Sequence, residues 1–302
     1  MPKLEVNGVA IDDTFAEAFG MRATAVVITA PSRKWALQAA ASMTGFATSV
    51  IACGCEAAID VELPPSATPD GRPGCRVMVF AVSTDELQKQ LVNRVGQCVL
   101  TSPGSACYAG LDGPNRLKLG AALRYFGDGW QISKKLGGRH FWRVPVMDGE
   151  FLCEAMTGMT KEAVGGGNLL LLAESSAKAL AAAEAAIEAM TRVAGAIMPF
   201  PGGIVRSGSK IGGKYKGMVA STNEAFAPTL RGVVKSELGP DINGVLEIVI
   251  DGETSDAVAA AMRAGIKAVT KLGPKKGARR ISAGNYGGKL GKFHYHLKDL
   301  LP

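Results

Sequence analysis

Histidine and aromatic residues are scarce in this chain. Three histidines, His140, His294 and His296, serve 302 residues, and Phe, Trp and Tyr make up 6%. So few histidines in these positions argue against a Ser-His-Asp hydrolase. His294 and His296 would share one face of a strand, but no third ligand accompanies them, so no metal site is expected. Sparse aromatics argue against a protein that stacks nucleic-acid bases. The motifs G-x-x-x-x-G-K-[ST], G-x-S-x-G and H-E-x-x-H are all missing, which removes P-loop, α/β-hydrolase and zincin chemistry. The run Gly165-Gly166-Gly167-Asn168 precedes a strand rather than a helix. That is the wrong order for a dinucleotide fingerprint, and it reads as a turn or a close backbone approach.

Cysteine pairs and long apolar runs are missing too. The six cysteines (53, 55, 75, 98, 107 and 153) show no C-x-x-C spacing and read as reduced thiols of a cytosolic protein. Apolar runs such as Leu169–Ala173 are far too short to cross a bilayer. Met1–Asp13 carries Glu5, Asp12 and Asp13, where a secretory leader needs a basic start and an apolar core. A cytoplasmic protein without membrane association is expected.

What is present is ordinary globular composition, 47% hydrophobic and 20% charged, which excludes disorder, collagen and disulfide frameworks. The length suits two domains. Net charge is 34 − 27 = +7, which fits either an anionic partner or a solvated basic surface.

The chain carries a faint internal duplication. Ala25–Ala30 is an apolar strand followed by Ser32 and a helix over 33–43; Asn168–Ala173 is followed by Ser175 and an Ala-rich helix to about Met190. Both serines stand where an N-cap is wanted. Further on, Cys75–Val82 leads through Thr84 into a helix, and Val245–Ile250 leads through Thr254 into another. With second strands at Ser49–Ala52 and Ile204–Ser207, and a last strand at Lys292–Leu297, each half reads as a ferredoxin-like split βαβ. The expected class is therefore α/β (α+β), with two ferredoxin-like lobes related by duplication. The lobes are expected over 1–148 and 149–302, and a hairpin from Leu117–Val146 is added to the first.

Glu247 is the oddest side chain. It sits mid-strand in V-L-E-I-V-I, where the matching place in the first half is the apolar Val77. A carboxyl there either loses hydration and holds its proton up to higher pH, or lies on an exposed face paired with a lysine. Two glycine-rich segments, 200–213 and 282–292, offer backbone N–H groups, hydroxyls, amides and lysines. That mixture suits a polar, anionic ligand or plain turns.

At these residues the chain closely resembles the formylmethanofuran:tetrahydromethanopterin N-formyltransferases. The stretches that carry the resemblance are NGVAIDDTFAEAF (7–19), KWAL (34–37), TPDGRPG (68–74), GQCVLT (96–101), PFPGGIVRSGSK (199–210), EIVI (247–250), AGIKA (264–268) and ISAGNYGGKLGK (281–292). They span nearly the whole chain. The resemblance implies a formyl transfer between N5 of tetrahydromethanopterin and the amine of methanofuran or an analogue. It implies no tightly bound cofactor and no metal, and makes Glu247 the catalytic carboxylate. It further implies substrate-binding residues Phe200, Pro201, Gly202, Gly203, Ser207, Ser209, Lys210, Asn285, Tyr286, Gly287 and Lys289.

Family members from methanogens are typically acidic. The basic charge here better fits the formyltransferase subunit of the bacterial formyltransferase/hydrolase complex. That implies a homo-oligomer or a hetero-oligomer with complex partners, and transfer from formyl-tetrahydromethanopterin to a furan carrier with glutamate carboxylates. The competing readings are a catalytically silent carrier-binding subunit and an RNA-binding ferredoxin-like module. The second lacks the K/R-G-F/Y-G/A-F-V-x-F/Y signature, so no nucleic-acid partner is expected.

Overall fold

The computed structural model describes residues 4–302. Residues 1–3, which belong to the expected first lobe and to the segment read for a leader, lie outside it. The chain forms two compact units, one over Met21–Ala163 and the other joining the segment that ends at Gly20 to Val164–Pro302. This differs from the expected break between 148 and 149, and strand pairing is the reason. The early strands Leu4–Val6, Val9–Ile11 and Phe15–Gly20 enter the sheet of the C-terminal half. Gly149–Glu154 and Met156–Thr160 pair with strands of the N-terminal half. Hydrophobic periodicity fixes which residues form a strand but not which distant strand it joins.

In Met21–Ala163 the sheet runs Glu56–Leu63, Gly74–Ala81, Arg22–Thr29, Ala106–Ala109, and its first three pairings are antiparallel. Numbered along the chain, that order is 2-3-1-4, the ferredoxin-like arrangement. Helices Arg33–Thr44 and Thr84–Arg94 cover one face: Ala39, Ala40, Met43, Leu87 and Leu91 pack on Val26, Ile28, Val77 and Val79. The expected hairpin is present, with Ile132–Leu136 paired to Arg139–Val146, and Gly149–Glu154 links it to the sheet.

The other unit repeats the plan. Its strands Val164–Ala173, Ala196–Ile197, Gly244–Gly252 and Arg280–Ser282 lie in the spatial order Arg280–Ser282, Val164–Ala173, Gly244–Gly252, Ala196–Ile197. Helices Ser176–Met190 and Ser255–Leu272 bury Ala182, Ala183, Ala186, Val258, Met262 and Ile266 against Leu169, Leu171, Ile248 and Ile250. Ser175 and Thr254 cap them, accepting from Lys178 N and Ala257 N, each cap contributing about 1 kcal/mol.

Three expected strands are placed differently. Ser49–Ala52 is not a strand: Ser49 Oγ accepts from Ile51 N and starts the single helical turn Val50–Cys53, and the strand is Glu56–Leu63. Ile204–Ser207 touches the sheet only through a bridge from Val205 to Glu247, while Ala196–Ile197 takes the second-strand place. The strand expected over Lys292–Leu297 forms at Phe293–His296 but pairs with Phe15–Gly20; Arg280–Ser282 closes the repeat instead. No helix of the described residues is long and apolar enough to cross a membrane.

Candidate active site

The site is built on the sheet face that the helices leave open. In the strand Gly244–Gly252, Leu246, Ile248 and Ile250 turn toward the helices, so alternation sends Val245 and Glu247 the other way. Glu247 stands opposite Leu170 in the register. Val205 pins its backbone from the other edge: Val205 N donates to Glu247 O at 2.7 Å and Glu247 N donates to Val205 O at 3.0 Å.

The open face is roofed by the insertion between 199 and 243. Leu238, Ile242 and Phe226 form a small core with Leu170, Leu172 and Val245. Arg280 ties the roof down by donating from Nη2 to Glu237 O at 2.7 Å. Half-buried beneath this roof, the Glu247 carboxyl is pushed up to about 7, because loss of hydration disfavours the charged form. Among the described residues no hydrogen bond or ion pair reaches that carboxyl. Of the two sequence readings, the structure therefore has the desolvated carboxyl and not a lysine-paired one; Lys210 pairs with Glu224 instead.

Two cavities meet at Glu247. One of about 690 Å³ is lined by Leu180, Ile204, Arg206, Ser207, Thr222, Val245 and neighbours. The other, of about 610 Å³, is more polar and is lined by Asp12, Asp13, Thr14, Asn168, Ser209, Lys210, Glu237, Arg280, Ser282, Asn285 and Tyr286. Four residues line both: Leu170, Asn223, Phe226 and Glu247. Of the four, only Glu247 is an acid that can give up and regain a proton near neutral pH.

The residues singled out from sequence separate into two groups. Glu247, Ser207, Ser209, Lys210, Asn285 and Tyr286 line the cavities. Phe200, Pro201, Gly202, Gly203, Gly287 and Lys289 line neither of them. The turn Pro201–Gly203 packs on the helix Ser176–Met190: a Cβ on Gly203 would stand 2.4 Å from Ile187 Cδ1. Lys289 is exposed.

Nor are the backbone N–H groups of the second glycine-rich segment free for a ligand, as the sequence suggests. Glu17 takes four of them. Its Oε2 accepts from Tyr286 N at 2.6 Å and Gly288 N at 2.9 Å; its Oε1 accepts from Leu290 N at 2.7 Å and Gly291 N at 2.6 Å. Asn285 Oδ1 accepts from Gly287 N, and Asn168 Oδ1 from Gly284 N. Glu17 is 1% exposed. Burial alone would raise its pKa, but the four N–H groups hold it down at about 2.

Sequence reasoning missed Asp12, Asp13, Thr14, Glu17, Asn168, Asn223 and Glu237 as parts of this region. A charged residue inside the apolar strand sequence F-A-E-A-F was the one signal available for Glu17.

The family model described as formylmethanofuran-tetrahydromethanopterin formyltransferase matches residues 4–146, and the model of its proximal lobe matches 149–300. The chain belongs to the formylmethanofuran–tetrahydromethanopterin formyltransferase family. The two matches meet between residues 146 and 149, whereas the compact units follow strand pairing.

A formylmethanofuran–tetrahydromethanopterin formyltransferase from Methylococcus capsulatus is 63% identical over 98% of this chain and 99% of its own. A formyltransferase/hydrolase complex protein from Methylorubrum extorquens is 56% identical over 100% of this chain and 98% of its own. The crystal structure of that organism's complex with methylofuran contains a chain that matches with a TM-score of 0.97, 55% identity and 99% coverage of both chains. The Methanosarcina barkeri formyltransferase matches with a TM-score of 0.92 at 45% identity, covering 98% of this chain and 100% of its own.

Proposed function

We propose that this chain moves a formyl group between N5 of tetrahydromethanopterin and the amine of methanofuran or a bacterial analogue, as the formyltransferase subunit of a formyltransferase/hydrolase complex. The family membership and the relatives named above support the reaction, the carriers and the hetero-oligomer. One observation carries the mechanism: Glu247 is the ionisable residue shared by two cavities, as a two-carrier transfer requires.

In this reading the polar cavity takes the pterin. Its amide and amino donors suit Asp12, Asp13, Glu237, Asn168 and Asn285. The cavity lined by Leu180, Ile204 and Val245 takes the furan arm, with Arg206 and the chain's net positive charge drawing its carboxylates. The carbonyl carbon then lies at the junction, where attack needs about 3–3.5 Å between reacting atoms.

The chemistry is direct acyl transfer. The incoming nitrogen adds to the formyl carbon and gives a tetrahedral intermediate. Protonated Glu247 gives its proton to the leaving nitrogen as that C–N bond breaks, and regains one from the incoming nitrogen, so protons balance without a formyl-enzyme. The N–H groups of Tyr286, Gly288, Leu290 and Gly291 are committed to Glu17 and do not serve the oxyanion. The carriers are co-substrates, and no tightly bound cofactor is assigned. We place the protein in the cytoplasm, with flux from formyl-tetrahydromethanopterin to the furan carrier.

The test is formyl transfer by the full chain, co-produced with its complex partners and followed by pterin absorbance. Glu247→Gln is expected to lower kcat by about 10²–10⁴-fold, the usual span for a positioned acid. Wild-type turnover in that variant would overturn the assignment, and absence of transfer in the native protein would leave only a carrier-binding subunit.

A further inference from the structure

We infer that Glu17 is a positioning residue of the pterin-side cavity, which sets the loop 284–291 so that Tyr286 and Asn285 form the cavity wall beside Glu247. This rests on the reading of Glu247 and the polar cavity given above.

The loop has little of its own to hold it. Gly287 and Gly288 both have positive φ, +74° and +71°, and glycine at such positions leaves the chain free to adopt other conformations. Its first residue is tied by Asn168, whose Oδ1 accepts from Gly284 N and whose Nδ2 donates to Gly284 O, and its last by the Gly291 carbonyl, 3.1 Å from His294 Nε2. Asn285 adds bonds from its Nδ2 to Thr14 Oγ1 and Phe15 O. Beyond Asn285, the N–H groups of Tyr286, Gly288, Leu290 and Gly291 all rest on the two oxygens of one buried carboxylate.

An ionised acceptor makes shorter and stronger hydrogen bonds than a neutral one. Four donors converging on two oxygens fix the loop in position and in direction. Glu17 itself cannot shift: Ala16 and Ala18, its neighbours on the strand, are buried in the core. A Cβ on Gly291 would stand 2.4 Å from Ala18 O and 2.9 Å from Glu17 Cγ, so the loop lies directly on that strand.

Glu17 lines neither cavity. It acts through Tyr286, whose backbone it holds and whose ring lies 6.1 Å from that of Phe19 on the same strand. Glutamine at 17 would fill the same volume but present an NH₂ group to two of the four donors. Those N–H groups would lose their acceptor, and the loop would leave its place.

The experiment measures steady-state kinetics of the full chain with its complex partners, varying each carrier in turn. Glu17→Gln is expected to raise KM for the pterin by about tenfold or more, a change equal to about 1.4 kcal/mol, and to alter KM for the furan carrier by less than about twofold. Glu17→Asp keeps both acceptor oxygens and is expected to restore part of the difference. Tyr286→Ala is expected to raise the pterin KM on its own, and in that background Glu17→Gln should add little, because coupled residues are not additive.

Equal change in both KM values, or a fall in kcat alone with both KM values unmoved, would show a merely structural role and overturn the inference. So would an unchanged pterin KM in Tyr286→Ala, even if Glu17→Gln failed to fold. Failure of the Glu247 assignment is read separately, from the turnover of Glu247→Gln.

Discussion

Glu247 and Arg76 hold the same place in the two units. Glu247 faces Leu170 across the first strand of its repeat, and Arg76 faces Val27 across the first strand of the other. Leu170 and Val27 are themselves equivalent, at the spacing that separates the caps Ser175 and Ser32: 175 − 32 = 143 and 170 − 27 = 143. The second helices are capped by Thr254 and Ser83, and 254 − 83 = 171, as is 247 − 76. Pairing Thr84 with Thr254, as the linear sequence invites, slips this register by one residue and matches Glu247 with the core residue Val77. Both lobes thus carry an ionisable side chain at this point of the open face. In one it is left without a counter-ion under a roof; in the other Arg76 pairs with Asp60 and donates to Gly110 O.

The acid form of Glu247 sets the pH response. With its carboxyl raised to about 7, the proton donor is present below pH 7 and is lost above it. The step that uses it should slow about tenfold per pH unit above that point. Stability follows the same group. Between the usual carboxylate range and pH 7 the folded state holds a proton that the unfolded state has released, so this contribution is fully present below about 4.5 and declines as pH rises to about 7. Glu247→Gln should abolish the slope and be the more stable protein above pH 7. Melting curves of the two proteins from pH 5 to 8 check this; parallel curves would contradict it.

Glu17 behaves in the opposite sense. Its folded pKa, about 2, lies below the ordinary value, so the stability it contributes is present above about 4.5 and lost as pH falls toward 2. The melting-temperature difference between wild type and Glu17→Gln should be widest near pH 6 and shrink steadily in acid. A difference independent of pH would contradict the charged form.

The Asp60–Arg76 pair should show the asymmetry of buried charges. The two side chains are 5% and 18% exposed. Asp60→Ala is expected to cost about 3 kcal/mol, the low end for removing one partner of a buried pair, since Arg76 keeps Gly110 O. Replacing both with leucine should recover most of that loss. Denaturant midpoints at constant m-value measure it, and a double variant no better than the single one would refute it.

Two glycines of the loop over Glu17 should respond differently to alanine. Gly287 has φ +74° with nothing within 4 Å of an added Cβ, so only backbone strain opposes Gly287→Ala, about 1–2 kcal/mol. Gly291→Ala meets Ala18 O at 2.4 Å and should destabilise more, with a higher pterin KM as the loop lifts. Equal effects at the two positions would count against the close docking of this segment.

The helices, their caps, the apolar strands and the odd carboxyl at 247 can all be read from the chain in order, because each depends on neighbours a few residues away. Apolar period, a serine or threonine before a helix, and a charge among β-branched residues are local facts. That is why the ferredoxin-like plan and Glu247 are visible in the sequence, and why the family resemblance can be carried by short stretches. The tertiary structure alone decided that the strands before Gly20 join the far half, that the insertion roofs the open face and strips Glu247 of part of its hydration, and that two cavities meet there. It also decided where the glycine-rich segment spends its N–H groups: on a carboxylate 269 to 274 positions away along the chain. No pattern in a linear sequence encodes that distance, since hydrogen-bond partners and burial are settled only when remote strands close into one sheet.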